Sequence, residues 1–517
     1  MLRKIRLTLA VILTTAITLV FLDITGTFQL WFGWIAKLQF LPAVLALNVA
    51  VVVALIALTL LLGRIYCSVI CPLGVFQDVV AWFGKKAKRN RYSYSKGMHT
   101  LRVVFLVLFV VSMIAGFSVI PALLAPYSSY GRMVTMLFQP LYQMLNNALA
   151  AVAERMDSYA FYSVDIWLKS IPTVIVALVT LVTVSVMAWR NGRTYCNTIC
   201  PVGTVLGFFS RFSRLKIVLD ETKCKKCGKC ARNCKSACID FDKCKVDYSR
   251  CVVCGDCLQN CSFNAISYGH RKTIMKEIDV IKKKQDEESA PKEVVPATSK
   301  VEDSIDTGKR AFLTGAVMAA VSLGYGQEKK KVDGGYAVIE EKVMPSRNTK
   351  LVPPGALSIK NFAQHCTACQ LCVSECPNGV LRPSTDLMTL MQPTMSYERG
   401  FCRPECTRCS DVCPTGAIRP ISKEDKSSTK IGNAVWIKEN CIILKDEVAC
   451  GNCERHCPTG AITMTMVEAL ETDDGRIPIV PVIDEGRCIG CGACEHVCPS
   501  RPYAAIYVEG REHHSTI

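Results

Sequence analysis

Cys488-Ile489-Gly490-Cys491-Gly492-Ala493-Cys494-Glu495-His496-Val497-Cys498-Pro499 reads C-x2-C-x2-C-x3-C-P. In such a run three cysteines hold one 4Fe–4S cluster and the fourth serves a neighbouring cluster. Five further cassettes begin at Cys224, Cys251, Cys366, Cys402 and Cys441. The six cassettes take twenty-four of the thirty cysteines in this 517-residue chain. One run alone is compatible with zinc or chance. Six together point to six 4Fe–4S clusters and to one-electron transfer. Disulfide scaffolds are short and lack this spacing, so the cassette cysteines read as reduced ligands.

Half of the residues are hydrophobic, and most of these lie before about residue 210. The net charge is +17. No nucleic-acid partner is expected from it, because many basic residues flank apolar runs, where the positive-inside rule puts them. Four runs approach the length of a membrane span: about Leu7–Leu22, Leu41–Leu62, Leu101–Ile120 and Ile171–Trp189. Lys85, Lys86, Lys88, Arg89 and Arg91 follow the second run. Arg190, Arg193, Arg211, Arg214 and Lys216 follow the fourth. Trp31 and Trp34 suit an outer aromatic belt. The N-terminus and the segment after the fourth run are therefore expected in the cytoplasm of a bacterial cell, with the chain a multi-pass protein of its inner membrane. The amphipathic stretch Arg132–Arg155 is expected along the outer interface.

The expected fold class is multidomain: an α-helical membrane bundle plus two α+β 4Fe–4S domains. Residues 1–219 form the bundle and 220–270 a cytoplasmic two-cluster domain. Residues 271–306 form a charged linker, 307–326 a weakly hydrophobic segment, and 340–517 a four-cluster domain.

Gly63-Arg64-Ile65-Tyr66-Cys67-Ser68-Val69-Ile70-Cys71-Pro72-Leu73-Gly74 returns as Gly192-Arg193-Thr194-Tyr195-Cys196-Asn197-Thr198-Ile199-Cys200-Pro201-Val202-Gly203. Both boxes are G-R-x-Y-C-x3-C-P-x-G, an internal duplication. Residues four apart share a helix face, and proline disfavours helix just before it. Each box is thus expected to aim two sulfurs one way from a helix end near its second cysteine. Cys67, Cys71, Cys196 and Cys200 then make a four-thiolate site for a seventh Fe–S cluster or another metal. A redox disulfide, or unligated thiols packing the bundle end, are the alternatives. Arg64 and Arg193 either neutralise thiolate charge or snorkel to lipid headgroups.

With the fourth cysteine crossing over, one cluster of the 220–270 domain takes Cys224, Cys227, Cys230 and Cys261. The other takes Cys251, Cys254, Cys257 and Cys234. Cys238 and Cys244 are left as spare thiols. The C-terminal runs are Cys366/Cys369/Cys372/Cys376, Cys402/Cys406/Cys409/Cys413, Cys441/Cys450/Cys453/Cys457 and Cys488/Cys491/Cys494/Cys498. No acid–base or nucleophilic constellation is expected in such a wire, and no catalytic residue is assigned.

Residues 1–270, with two C-x3-C-P boxes and two cassettes, resemble the NapH-type membrane ferredoxin proteins. Residues from about 306 to 517 resemble the NapG-type four-cluster ferredoxins. The resemblance implies a fused quinol dehydrogenase. It would take electrons from menaquinol or ubiquinol in the membrane pool. It would pass them to a periplasmic reductase, such as a nitrate reductase, or to a c-type cytochrome. It also implies that the first and fourth C-terminal runs pair: Cys366, Cys369, Cys372 with Cys498, and Cys488, Cys491, Cys494 with Cys376. The second and third pair likewise: Cys402, Cys406, Cys409 with Cys457, and Cys441, Cys450, Cys453 with Cys413. Lys309-Arg310-Ala311-Phe312-Leu313 resembles a twin-arginine export signal, which implies a periplasmic C-terminal domain. The boxes also resemble those of NosR-like and oxidase-assembly proteins, which implies the alternative of an electron donor for metalloenzyme maturation.

Overall fold

The computed structural model describes residues 2–23, 26–87, 92–158, 161–270, 340–467 and 477–517. The charged linker and the export-signal-like segment lie outside the described residues.

Among the described residues, eight helices of eight or more residues carry the N-terminal region: α1 (Leu2–Leu22), α2 (Val49–Leu62), α3 (Pro72–Lys86), α4 (His99–Ala115), α5 (Pro126–Met133), α6 (Gln139–Arg155), α7 (Ile171–Asn191) and α8 (Pro201–Ser210). Their limits follow local chemistry. The Asn48 side chain accepts from the Val51 amide and starts α2. Pro72 and Pro201 occupy first-turn positions of α3 and α8, where a missing N–H costs nothing. α2 and α7 stop at Gly63 and Gly192, whose φ values of 81° and 71° suit glycine.

The helix lengths depart from four equal spans. Among the described residues only α1 and α7, with 21 residues each, are long and apolar enough to cross a membrane. The expected second run is split: Phe40–Leu45 forms its own helix, and Leu47 turns the chain at φ 53° before α2. The third run breaks at Gly116, with φ 80°, before the short helix Val119–Leu124. A continuous apolar run marks lipid compatibility but carries no signal of where a turn falls inside it. α6 continues α5 through a π-helical turn, Val134–Phe138.

α1 connects the two cysteine-rich modules. At its start Leu2 packs into the core around Ile217 and Cys257, and Arg3 pairs with Asp256 at 2.9 Å. At its end Phe21 stacks on Tyr127 of α5, ring centroids 5.6 Å apart, beside the helix Leu371–Glu375. A helix of this length spans roughly 30 Å, the thickness of a hydrocarbon core.

The first module is framed by β1 (Leu215–Leu219) paired antiparallel with Ile266–His270, and by the short pair Ile239–Asp240 and Lys245–Val246. In the C-terminal module Thr429–Trp436 pairs with Ile506–Thr516, Ile462–Met466 with Ile479–Ile483, and Leu381–Pro383 with Pro393–Met395. Short strands and one-turn helices leave little apolar core, and cysteines fill much of it.

Candidate iron–sulfur centres

The two boxes meet and brace each other. Arg64 NH2 donates to the Cys196 carbonyl at 3.2 Å, and Arg193 NH1 donates to the Cys67 carbonyl. Each arginine thus holds the opposite box. Both are 0% exposed, which rules out snorkelling. The motif's last glycine has the same cause in both copies. A Cβ on Gly74 would strike the Cys67 carbonyl oxygen, and one on Gly203 the Cys196 carbonyl oxygen. The tyrosines anchor outward: Tyr66 donates to Gln39 Oε1 at 3.0 Å and Tyr195 to the Leu124 carbonyl at 2.9 Å.

Cys67, Cys71, Cys196 and Cys200 are all buried in one core. Burial, then the neighbouring Cys196 and Cys67, push the Cys71 thiol up; burial, then Cys196, Cys71 and Cys67, do the same to Cys200. Gln77 Nε2 donates to Cys196 Sγ at 3.2 Å, the Gly203 amide to Cys200 Sγ at 3.3 Å, and Arg64 reaches Cys67 Sγ at 3.7 Å. The expected geometry of each box needs one correction. Cys67 lies on the short helix Tyr66–Val69, whereas Cys71 caps α3 in extended conformation. The proline breaks the helix before the second cysteine, so the two sulfurs belong to different elements.

The 220–270 module adjoins the boxes. Arg64 donates to the Ser249 carbonyl at 2.8 Å, and the Arg193 amide donates to the Lys235 carbonyl at 2.8 Å. Cys224, Cys227, Cys230 and Cys261 line one small cavity. Cys257 is pushed up by burial and then by Cys254, Cys251 and Cys234, which brings the other expected set together. Cys238 lies 3.5 Å from Cys234, sulfur to sulfur, so it is part of that cluster's surroundings. Cys244 stays at the edge, its sulfur 3.7 Å from the Phe241 carbonyl.

The C-terminal grouping differs from the nested pairing. Cys376 shares a cavity with Cys402, Cys406 and Cys409. Cys413 instead stands with the first run: burial, then Cys369, Cys366 and Cys413, push Cys372 up. Cys498 shares a cavity with Cys441, Cys450 and Cys453. Cys457 acts on Cys488, Cys491 and Cys494. Runs therefore pair first with second and third with fourth, each neighbour in sequence exchanging its last cysteine. Sequence spacing does not encode which run folds against which. The pairs join where the Cys402 amide donates to the Cys491 carbonyl at 3.0 Å. At the bundle, Gly131 of α5 lies directly against the Cys369 carbonyl, with no room for a Cβ.

Four runs share a backbone signature absent from the spacing alone. The residues before and after the second cysteine have positive φ: Lys226 and Gly228, Val253 and Gly255, Ala368 and Gln370, Gly490 and Gly492. Left-handed conformation is costly for a β-branched residue such as Val253 and persists where its surroundings enforce it. The curl turns amides inward. Ala368 and Leu371 donate to Cys366 and Cys369, and Gly490 and Ala493 to Cys488 and Cys491. The crossing cysteines also receive donors, from Ala461 to Cys457 and Ala505 to Cys498, both at 3.2 Å. Such N–H···S bonds tune cluster potentials.

These residues fit clusters. Burial pushes the Cys254, Cys369 and Cys491 thiols up to about 12, and bound iron would supply the stabilisation their thiolates need. No three His, Cys, Asp or Glu side chains among the described residues close around a single metal ion. Three of the four-cysteine sets ring cavities instead, which suits a four-iron cube better than a lone tetrahedral zinc.

Comparisons with known proteins agree with this chemistry. One family model, described as a 4Fe-4S binding domain, matches twice, at residues 44–91 and 173–219, once over each box. A second, a 4Fe-4S dicluster domain, matches 448–501. YccM of Escherichia coli, named for electron transport, is 27% identical over 204 residues, 39% of this chain. This chain spans about half (50%) of that relative's length. The methylamine utilization ferredoxin-type protein MauM of Paracoccus denitrificans is 33% identical over 170 residues, 30% of this chain and 71% of MauM. The ferredoxin-type protein NapG of Escherichia coli is 30% identical over 196 residues, 35% of this chain and 78% of NapG. No solved structure matches the chain. The chain carries iron–sulfur domains for electron transport, and it belongs to the family of ferredoxin-type proteins that includes NapG and MauM.

Proposed function

We propose that this protein is a membrane-bound quinol dehydrogenase, a NapH-like bundle fused to a NapG-like wire. Six 4Fe–4S clusters occupy the cassettes, and a seventh occupies Cys67, Cys71, Cys196 and Cys200. The observation that carries the reading is the place of the boxes. They lie in one core that reaches Cys254 on one side and Cys369 on the other, so the box centre bridges the two modules. The double match of a 4Fe-4S binding model over the boxes supports it.

In this reading the 220–270 module faces the cytoplasm and the C-terminal module the periplasm. The basic residues around the boxes support that orientation, as does the attachment of the modules to opposite ends of α1. The protein's part is to seat the clusters, exclude water from the box centre and set potentials through N–H···S bonds. The clusters, when bound, supply one-electron carriage. Electrons leave the C-terminal module for a reductase or a cytochrome.

The test is anaerobic purification followed by addition of a menaquinol analogue under electron paramagnetic resonance. Reduction of cluster signals by quinol is the expected result. Clusters that reduce with dithionite and stay oxidised with quinol would sink the quinol reading and leave the maturation donor standing. Iron analysis separates about 28 from about 24 atoms per chain, seven clusters from six.

A further inference from the structure

A cavity of about 610 Å³ lies where the bundle meets the C-terminal module. That volume is in the range of small-molecule sites. Gln139 and Gln143 of α6, with Trp167, line it from the bundle. Glu375 and Cys376 line it from the module. Cys376 also lines the small cavity it shares with Cys402, Cys406 and Cys409, so a molecule seated here lies against that cluster's own ligand.

Three features say what kind of molecule fits. Glu375 is 4% exposed, yet its Oε1 has no hydrogen-bond partner among the described residues. A buried acceptor left open calls for a donor. Arg382 and Arg399 lie over the Trp167 ring, 4.4 and 4.7 Å from its centroid, and fix the indole as a rigid aromatic wall. α6 is two-faced. Gln139, Gln143, Asn146 and Asn147 share one side, and Asn146 and Asn147 tie down the segment beyond, bonding the Tyr162 and Val164 carbonyls at 2.8 Å. On its other side Leu141 and Leu145 stand exposed at 60% and 61%. A hydroxyl donor on an aromatic ring with an apolar tail meets all three requirements.

We infer that this cavity is the quinol site; the inference rests on the quinol reading above. A quinol hydroxyl donates to Glu375 Oε1 and the ring packs against the edge of Trp167. On oxidation both O–H bonds break. The two protons pass to water at the exposed Tyr162 rim. The two electrons enter the cluster at Cys376 singly, the first moving on toward Cys491 before the second arrives. The products are quinone, two protons and two electrons on the wire.

The test uses the full chain, purified with its clusters, and two readouts. The first is photolabelling with an azido-ubiquinone, mapped by mass spectrometry. The second is the quinol concentration needed for half-maximal cluster reduction rate. Labels in the Tyr162–Lys169 or Ser374–Gly379 peptides are expected. Trp167→Ala and, as a milder variant, Gln143→Leu should each raise that concentration about tenfold, with dithionite-reducible signals unchanged. Labelling confined to other peptides, or unaltered quinol dependence in both variants while the wild type is reduced, overturns the site and spares the quinol reading. A wild type that quinol neither labels nor reduces overturns both.

Discussion

The two boxes share one twelve-position pattern, yet their arginines end in different surroundings. Arg193 meets a carboxylate: Nε donates to Asp78 Oδ1 at 2.9 Å, and NH2 lies 2.8 Å from Oδ2. Arg64 meets only neutral groups, Asn197 Oδ1 at 3.0 Å and the Ser249 carbonyl at 2.8 Å. The backbone brace is common to both copies, each arginine on the other box's first cysteine carbonyl. The charge balance is not. Duplication has kept what positions the sulfurs and let diverge what sets their electrostatic field. Arg193 faces the sulfurs with Asp78 beside it, while Arg64 faces them without a carboxylate partner.

The largest effect concerns what the boxes share. If both copies hold one cluster, Cys67→Ser and Cys196→Ser must be equivalent. Each should lower iron by about four atoms per chain and leave the cassette clusters in place. Iron and sulfide analysis of both variants checks this. Unchanged iron in either would mean that the boxes are a packed thiol end, and the comparison would lose its subject.

Next comes Asp78. It gathers Arg193, Arg6 at 2.9 Å and Lys235 at 3.6 Å. Burial alone would raise its carboxyl, but Arg193 and then Lys235 hold it well below the usual carboxylate range. A depressed carboxylate contributes stability that is complete above its unfolded value near pH 4 and fades only as pH falls toward the folded value. Asp78→Asn should therefore cost about 3–5 kcal/mol, equally at pH 6 and pH 8, because the buried Arg193 and Arg6 lose their counter-charge while Lys235 keeps Asp256 at 3.2 Å. Asn197→Leu, the matching change at Arg64, should cost only about 1–3 kcal/mol. Thermal unfolding in detergent compares them. Equal losses would show that the asymmetry carries no energy.

How much of this could be read in advance follows the same division between local and long-range information. The cassettes, the boxes and their duplication are local patterns, and they stand in the sequence with their ligands named. The grouping of Cys261 with the first run of 220–270 could also be expected from the sequence, because only two runs are available there. In the C-terminal module four runs admit several pairings, and the choice depends on which loops pack. The nested pairing expected from resemblance gave way to neighbour exchange for that reason. Asp78 and Gln77 carry no motif; they reach the boxes only because α3 packs beside α7. The positive-φ residues Val253 and Ala368 were hidden because neither residue type advertises that conformation.

The glycines at the end of each box make a smaller and symmetrical test. An added methyl on Gly74 meets the Cys67 carbonyl and, at 3.1 Å, Arg193 NH1. On Gly203 it meets the Cys196 carbonyl and, at 2.9 Å, Arg64 NH2. Gly74→Ala and Gly203→Ala should each destabilise by about 1–3 kcal/mol through overpacking, with no difference between copies. A large inequality in unfolding temperature would mean that the brace, too, has diverged.

The finest distinction is electrostatic. A cation near a cluster favours its reduced, more negative form, so removing one lowers the potential. Arg64→Gln takes away a charge that no carboxylate balances, with a guanidinium nitrogen 3.7 Å from Cys67 Sγ. Arg193→Gln takes away a charge paired with Asp78, whose carboxylate stands there before and after the change. Lys235 and Arg6 remain beside Asp78 and keep it ionised. Each change therefore removes one cation. Arg64→Gln should shift the box potential negative by on the order of 59 mV, a tenfold change in a one-electron equilibrium. Arg193→Gln should shift it negative by a similar amount. Redox titration of the box signal, taken as the difference from Cys67→Ser, measures both. A distinctly smaller shift for Arg193→Gln would mean that Asp78 takes up a proton when its partner leaves, and that the carboxylate buffers the centre's field.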